Sequence, residues 1–225
     1  MHRIPATLAA LALAALAFAT AAEGQGSTTR QRNAPASAAD KRFTGWTFGV
    51  HTVAAPGIQI DGEDVSGFET KGGSGAGVMV GYGFNPMFTG FASFDVAKQG
   101  SAMNDIEGSF GLVHLEVGVR AQLPMRNAKT VPYASASIGR RALGARVYDY
   151  DFDEEYDLSL SGTMFGLGGG IKHFLSSRTA LDAGLTLGFG AFNNIEDDGE
   201  KFTVNVNGST SVRLRIGVTW HPGTR

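Results

Sequence analysis

"TALDAGLTLGFGAF", residues 179–192, alternates with a period of two. Leu181, Ala183, Leu185, Leu187, Phe189 and Ala191 form one face, and Asp182, Gly184, Thr186, Gly188 and Gly190 form the other. That period makes a strand with one apolar face. A strand lying on a soluble core shows water Lys, Glu, Thr or Ser on its second face, whereas glycine weakens a strand and is depleted there. Here the second face is unusually small, and a fold for this chain has to explain why.

The same pattern recurs from Phe43 onward. "FTGWTFGVHTV" (43–53), "GAGVMVGYGF" (75–84), "FTGFASFDVAK" (88–98), "FGLVHLEVGVRAQL" (110–123), "PYASASIGRRA" (132–142), "LSLSGTMFGLGGGIKHF" (158–174), the stretch above and "STSVRLRIGVTW" (209–220) each read as a strand. Helical spacing is everywhere weaker than alternation. The connections fall into two classes that alternate along the chain. "NPM" (85–87), "PMRNAKTV" (124–131) and "LSSR" (175–178) are tight, while 54–74, 99–108, 144–157 and 193–208 are longer and more polar. Long and short connections therefore collect at opposite ends of a meander. An outer-membrane barrel sorts its loops this way, with short periplasmic turns and long external loops, and a soluble sandwich has no reason to.

The strand faces choose lipid over water. Val212, Leu214, Ile216, Val218 and Trp220 share one side of the last strand against Ser211, Arg213, Arg215, Gly217 and Thr219. Val113, Leu115, Val117, Val119, Ala121 and Leu123 do the same in the fourth, against His114, Glu116, Gly118, Arg120 and Gln122. Apolar faces of that length match a tilted bilayer crossing of about 9–11 residues. Phe43, Tyr82, Phe84, Phe88, Tyr133, Phe174 and Trp220 fall toward strand ends, as interfacial aromatic girdles do. The expected fold is all-β, an eight-stranded antiparallel up-and-down transmembrane β-barrel over residues 43–220. If the bulky face meets lipid, the small face points into a lumen just wide enough for side chains to fill.

Composition agrees. The 225 residues include 32 glycines, about twice the usual share of roughly 7%, spread through the apolar stretches rather than gathered in a linker. A formal charge of −2 gives no support for a nucleic-acid partner. The absence of cysteine excludes disulfides, thiol nucleophiles and thiolate metal sites. At the N-terminus, "MHRIPATLAALALAALAFATAA" places Arg3 before an apolar run from Leu8 to Phe18 and ends on small residues, as a secretory signal peptide over residues 1–22 would. Residues 23–42 are polar and Ala/Ser/Pro-rich, and are expected to be a disordered lead-in. Residues 221–225 are expected to be a short tail.

The signal-type N-terminus, the Gly-rich "GAGVMVGYGFNP" hairpin, the charged inward positions and the ending "SVRLRIGVTW" resemble the small outer-membrane β-barrel family. That family includes the transmembrane domain of outer-membrane protein A and the outer-membrane protein X and W types. The resemblance implies a bacterial outer-membrane location with both termini periplasmic, contact with outer-membrane lipid and lipopolysaccharide, and assembly by the barrel-assembly machinery through the aromatic last strand. It implies no cofactor.

Inward ionisable groups are the candidate site, because charges in a narrow membrane interior are costly unless paired. Strand direction puts Asp95, His114, Glu116, Arg213, Arg215 and Arg141 in the middle or outer half, and Arg120, Lys172 and Asp182 nearer the periplasm. In the resembling family such groups form salt-bridge networks that plug the barrel. The expected pairs are Glu116 with Arg213 or Arg215, and Asp182 with Lys172 or Arg120. Some relatives of this architecture are lipid-A deacylases or acyltransferases, and "KHFLSS" sets His173 near Ser176 and Ser177. Those residues belong to a predicted periplasmic turn, and no third group is identified to orient the base, so a non-enzymatic role is expected. The outer connections carry acidic residues instead: Asp149, Asp151, Asp153, Glu154, Glu155 and Asp157, then Glu196, Asp197 and Asp198. Their spacing is not that of an EF-hand calcium loop, and solvated acidic loops without a metal are expected. The function expected is a structural or surface-interaction barrel with a plugged lumen; the alternative is a narrow channel or transporter for ions or small solutes.

Overall fold

The computed structural model describes residues 43–222, apart from 56–57, 62–67, 102–108, 124–128, 150–153 and 198–199. The segments 1–22 and 23–42 lie outside the described residues, as do 223–225. Nine strands follow in chain order: β1 (Gly45–Ala55), β2 (Ile58–Asp61), β3 (Phe68–Gly83), β4 (Phe88–Ser101), β5 (Ser109–Gln122), β6 (Thr130–Asp149), β7 (Glu154–Phe174), β8 (Thr179–Asp197) and β9 (Glu200–Trp220). All pairings are antiparallel, and β1 pairs β9 to close the ring. β1 and β2 lie on one line, β1 pairing β9 as far as Ala54↔Leu214 and β2 taking over at Ile58↔Ser211. They form a single stave, so the ring is an eight-stave antiparallel up-and-down barrel. Closure matters physically, since an open edge leaves backbone groups unpaired in lipid.

The strands are strongly staggered. Stepping across paired residues from Phe48 leads through Val80, Ala92, Val117, Ile138, Phe165, Phe189 and Thr210, and arrives at Gln59 on the first stave, well above the starting point. Such a stagger requires the staves to tilt by about 40° to the barrel axis.

One end carries the short turns. Asn85 Oδ1 accepts hydrogen bonds from the backbone N–H of Met87 and Phe88 at 2.8 and 2.9 Å. Ser176 Oγ does the same for Arg178 and Thr179 at 3.2 and 3.0 Å. These side chains substitute for backbone partners where the chain reverses. Gly45 opens β1 with φ of 90°, a conformation L side chains rarely adopt.

At the far end the expected long loops are shorter than the sequence suggests. The stretch 54–74 contains β2 and the start of β3; 144–157 is taken up by β6 and β7 except at 150–153; and 193–208 by β8 and β9 except at 198–199. Asp149, Glu154, Glu155, Asp157, Glu196 and Asp197 therefore stand on strands rather than in loops, while Asp151, Asp153 and Asp198 lie outside the described residues. Pairing of β5 with β6 ends at Phe110↔Ala145, whereas β6–β7 pairing runs on to Asp149↔Glu154 and β8–β9 pairing to Asp197↔Glu200. Four strands thus continue as a sheet beyond the ring. A ladder that has left an apolar environment can be polar on both faces, so the alternation that marks it in sequence fades while its backbone bonds persist.

Within the ring the two faces separate cleanly. Val50, Val78, Leu115, Val117, Val119, Ile138, Leu167, Ile171 and Ile216 are all exposed on the outer wall. Near the short-turn end Trp46 stacks on Phe48 and meets Tyr82 edge-on, Tyr82 meets Phe84 edge-on, and Phe48 tilts against Trp220. This outward aromatic group has the character of an interfacial girdle. Three residues expected in that girdle sit inside instead: Phe43, Tyr133 and Phe174 are buried. Strand-end position alone did not separate lumen from wall; their parity along the strand does. His221, read as the start of a tail, is also buried in the barrel mouth, its backbone N–H bonded to the Arg178 carbonyl at 2.7 Å.

Candidate functional site: the lumen

The lumen is filled in layers. Farthest from the short turns lies an apolar cluster of Ile58, Phe110, Leu112, Leu143 and Phe192, each almost fully buried. Phe192 presents its ring to the Arg141 guanidinium, 4.4 Å from the ring centre. Arg141 donates to Ser209 Oγ, which in turn bonds the Gly190 carbonyl at 2.9 Å.

Beneath it is a clasp of charges. Arg213 bridges two carboxylates, its Nη1 donating to Asp95 Oδ2 and its Nη2 to Glu116 Oε2, both at 2.7 Å. Arg215 Nη1 donates to Glu116 Oε1 at 2.8 Å and Nη2 to Thr186 Oγ1 at 2.9 Å. The hydroxyls of Ser93 and Ser137 donate to Glu116 at 2.9 and 3.1 Å, so both its carboxylate oxygens accept two bonds. Asp95 is held on its other side by His51 Nε2 at 2.7 Å. Glu116 and Asp95 come from β5 and β4, and the two arginines from β9 across the barrel. His114 is buried beside the clasp, with Nδ1 3.2 Å from Met164 Sδ.

A second charged tier lies toward the short turns. Arg120 Nη1 donates to Asp182 Oδ2 and Tyr133 Oη donates to Asp182 Oδ1, each at 2.7 Å. The Arg120 guanidinium also rests 3.9 Å above the Tyr133 ring centre. Lys172, buried on β7, is directly opposite Asp182 across the β7–β8 ladder. Below, Phe43, Val131, Phe174 and Ala180 form the closing apolar cluster, with the Phe43 and Phe174 rings edge to face at 5.4 Å. Thr47 Oγ1 lies 3.1 Å from Nδ1 of His221 at this end.

Glycine on the inner face now has a reason. A Cβ on Gly77 would collide with the Asp95 carboxylate and the His51 ring, and one on Gly184 with the Tyr133 hydroxyl. The small face of residues 179–192 leaves room for long side chains from the opposite staves.

Asp95, His114, Glu116, Arg120, Arg141, Lys172, Arg213 and Arg215 are buried within the ring, and Asp182 is nearly so. Glu116 meets both candidate arginines, and Asp182 ion-pairs with Arg120 rather than with Lys172. His51 and Tyr133 join the network although neither stood among the lumen candidates, Tyr133 having been placed in the girdle. Their signal was present in parity: His51 is in phase with Thr47 and Gly49, and Tyr133 with Ser135 and Ser137. The Ser–His candidates are engaged separately at the turn. His173 Nδ1 is 2.8 Å from Thr130 Oγ1, and Ser176 Oγ caps the backbone as described.

The whole ring is similar to solved outer-membrane proteins. Neisserial surface protein A is 17% identical and superposes with a TM-score of 0.55 over 79% of this chain and 97% of its own. The attachment invasion locus protein of Yersinia pestis is 15% identical, with a TM-score of 0.51 over 79% of this chain and 98% of its own. No protein-family model matches the sequence, and no curated protein matches it either. The likeness is one of fold, that of the small outer-membrane β-barrels.

Proposed function

We propose that this chain, with the fold of the small outer-membrane β-barrels, is a closed, non-enzymatic barrel of the bacterial outer membrane with a structural or surface-interaction role. The observation that carries the reading is the packed lumen: two tiers of hydrogen-bonded charge between two apolar layers. A water-filled path along the axis would have to cross both layers and part the Arg213–Glu116 and Arg120–Asp182 pairs. The short turns and both termini face the periplasm, and the extended β6–β9 sheet with its acidic residues stands outside the cell. The sheet is the surface on which an external partner would act.

Planar-bilayer recording of the purified protein tests the closed lumen. The expected result is no steady conductance above background at moderate voltage. A stable ohmic conductance in the wild type would replace this reading with the narrow-channel one.

A further inference from the structure

Acids and bases do not balance in the lumen. Among the described residues Asp95 and Glu116 are clasped by Arg213 and Arg215, and Asp182 is taken by Arg120, which leaves Arg141 and Lys172 outside every ion pair. Lys172 stands directly opposite Asp182 across the β7–β8 ladder. Arg141 has no acid opposite it, since its ladder neighbours are His114 on β5 and Gly162 on β7. It is 1% exposed, and its contacts are the Phe192 ring and the Ser209 hydroxyl, neither of which carries a negative charge. The charge it does feel is a like one, that of Arg213. A guanidinium buried in this way is costly until an anion meets it.

The donors around it are spare. Arg141 Nε and Nη1, Arg213 Nε and Ser211 Oγ are all buried with no hydrogen-bond partner among the described residues. Topology brings them together. Ser209, Ser211 and Arg213 are successive inward residues of β9, and Arg141 reaches across the lumen to Ser209, so Ser211 stands between the Arg141 guanidinium and the root of Arg213. On the facing side His114 lies between Arg141 and Asp95 in the row of paired residues across β4, β5 and β6, and Arg213 is bonded to that same Asp95. The His114 Nε2 atom is also buried and unpartnered among the described residues. A Cβ on Gly188, opposite Ser211 in the β8–β9 ladder, would press on the Ser211 hydroxyl, so glycine keeps this space open. Water both donates and accepts, whereas a positively charged set of N–H and O–H groups suits a species that only accepts. One uncompensated guanidinium calls for one negative charge, and confinement between the apolar Phe192 cluster and the clasp calls for a compact one.

We propose that the lumen holds a buried halide ion of chloride size between Arg141, Arg213, Ser211 and His114. The ion accepts from both spare Arg141 nitrogens, from Arg213 Nε and from the Ser211 hydroxyl, and it joins the apolar cap to the clasp as one network. The site depends neither on the orientation of the barrel in the membrane nor on whether the lumen conducts, so its failure is separable from failure of the closed-barrel reading.

The test uses the full barrel refolded in detergent micelles, with bromide as the probe because it replaces chloride and scatters X-rays anomalously. Crystals grown in sodium bromide should show an anomalous peak at hydrogen-bond distance from Arg141 Nε and Nη1. In solution, at ionic strength held constant with gluconate, the wild-type thermal midpoint should rise by about 3 °C for each tenfold increase in bromide once the site begins to fill. Arg141→Leu should lose that rise, and the heat-dependent shift on an SDS gel verifies that the variant is folded. Should it not fold, Ser211→Ala, which deletes a single donor, is expected to need several-fold more bromide for the same midpoint. An absent peak, a peak confined to the barrel surface and so an adventitious ion only, a midpoint indifferent to the exchange of gluconate for bromide, or an undiminished rise in either variant overturns the site.

Discussion

Glu116 is the acceptor that both arginines of the clasp share. It is buried, accepts four hydrogen bonds and faces two arginines, so its removal leaves Arg215 without an ion pair and Arg213 with Asp95 alone. Glu116→Ala is expected to destabilise the folded barrel by about 3–5 kcal/mol, measured by urea unfolding in lipid vesicles. Combined with Arg215→Met, which removes the cation left without an ion pair, the double variant should recover part of that loss, with a coupling energy of about 1 kcal/mol or more; strict additivity would deny the contact an energetic role. His221 offers a pH-dependent check outside the spanning strands. Burial, aided by the nearby Lys172 charge, lowers its pKa from 6.5 to about 3. The unfolded chain therefore binds this proton below pH 6.5 while the folded one refuses it until near pH 3. Its contribution is complete above pH 6.5 and is lost as the pH falls toward 3, at up to about 1.4 kcal/mol per pH unit. Unfolding midpoints between pH 7 and 5 should fall less steeply for His221→Asn than for wild type; parallel curves would mean the imidazole is protonated in the fold.

Strands were the most legible level of this sequence, but only where one face is apolar. The wall of "VRLRIGVTW" alternates because each outward residue sits on an exposed apolar wall and each inward one in a crowded lumen. Beyond the ring that contrast ends, and the β6–β7 and β8–β9 extensions read as acidic loops. Their register does carry a trace of pairing, with Arg146 opposite Asp157 and Glu196 opposite Lys201. Lumen partners were legible by parity and height, whereas the choice of Arg120 over Lys172 for Asp182 depends on side-chain reach. The two faces should respond oppositely to substitution. Val117→Arg, in the middle of the wall, is expected to cost about 2–4 kcal/mol, measured by the same unfolding in vesicles. Gly77→Val, on the inner face, should be destabilising for a different reason: its side chain would occupy the space of the His51–Asp95 pair. A tolerated Gly77→Val would mean that this pair can relocate at little cost.

At the scale of the whole molecule, closure is the property that everything else serves. A ring with no free edge within the membrane should migrate faster on an SDS gel unheated than boiled, and a single band position in both states would argue against a closed barrel. The proposed orientation rests on the two unlike ends, and it predicts that protease added to intact cells cuts within 144–157 or 193–208. Cleavage confined to 124–131 would invert the molecule. The clasp of Asp95, Glu116, Arg213 and Arg215 has a consequence for how closure finds its place. An alternating wall cannot tell correct pairing of β1 with β9 from a slip of two residues, because such a slip returns every side chain to its own face. The clasp can tell them apart. Its acids arrive on β4 and β5 and its bases on β9, so they are brought together when the ring shuts, and a two-residue slip would carry Arg213 toward the place of Arg215 and strand a carboxylate. The lumen thus acts as a proofreader, rejecting a misaligned seam that neither the lipid nor the backbone ladder would detect.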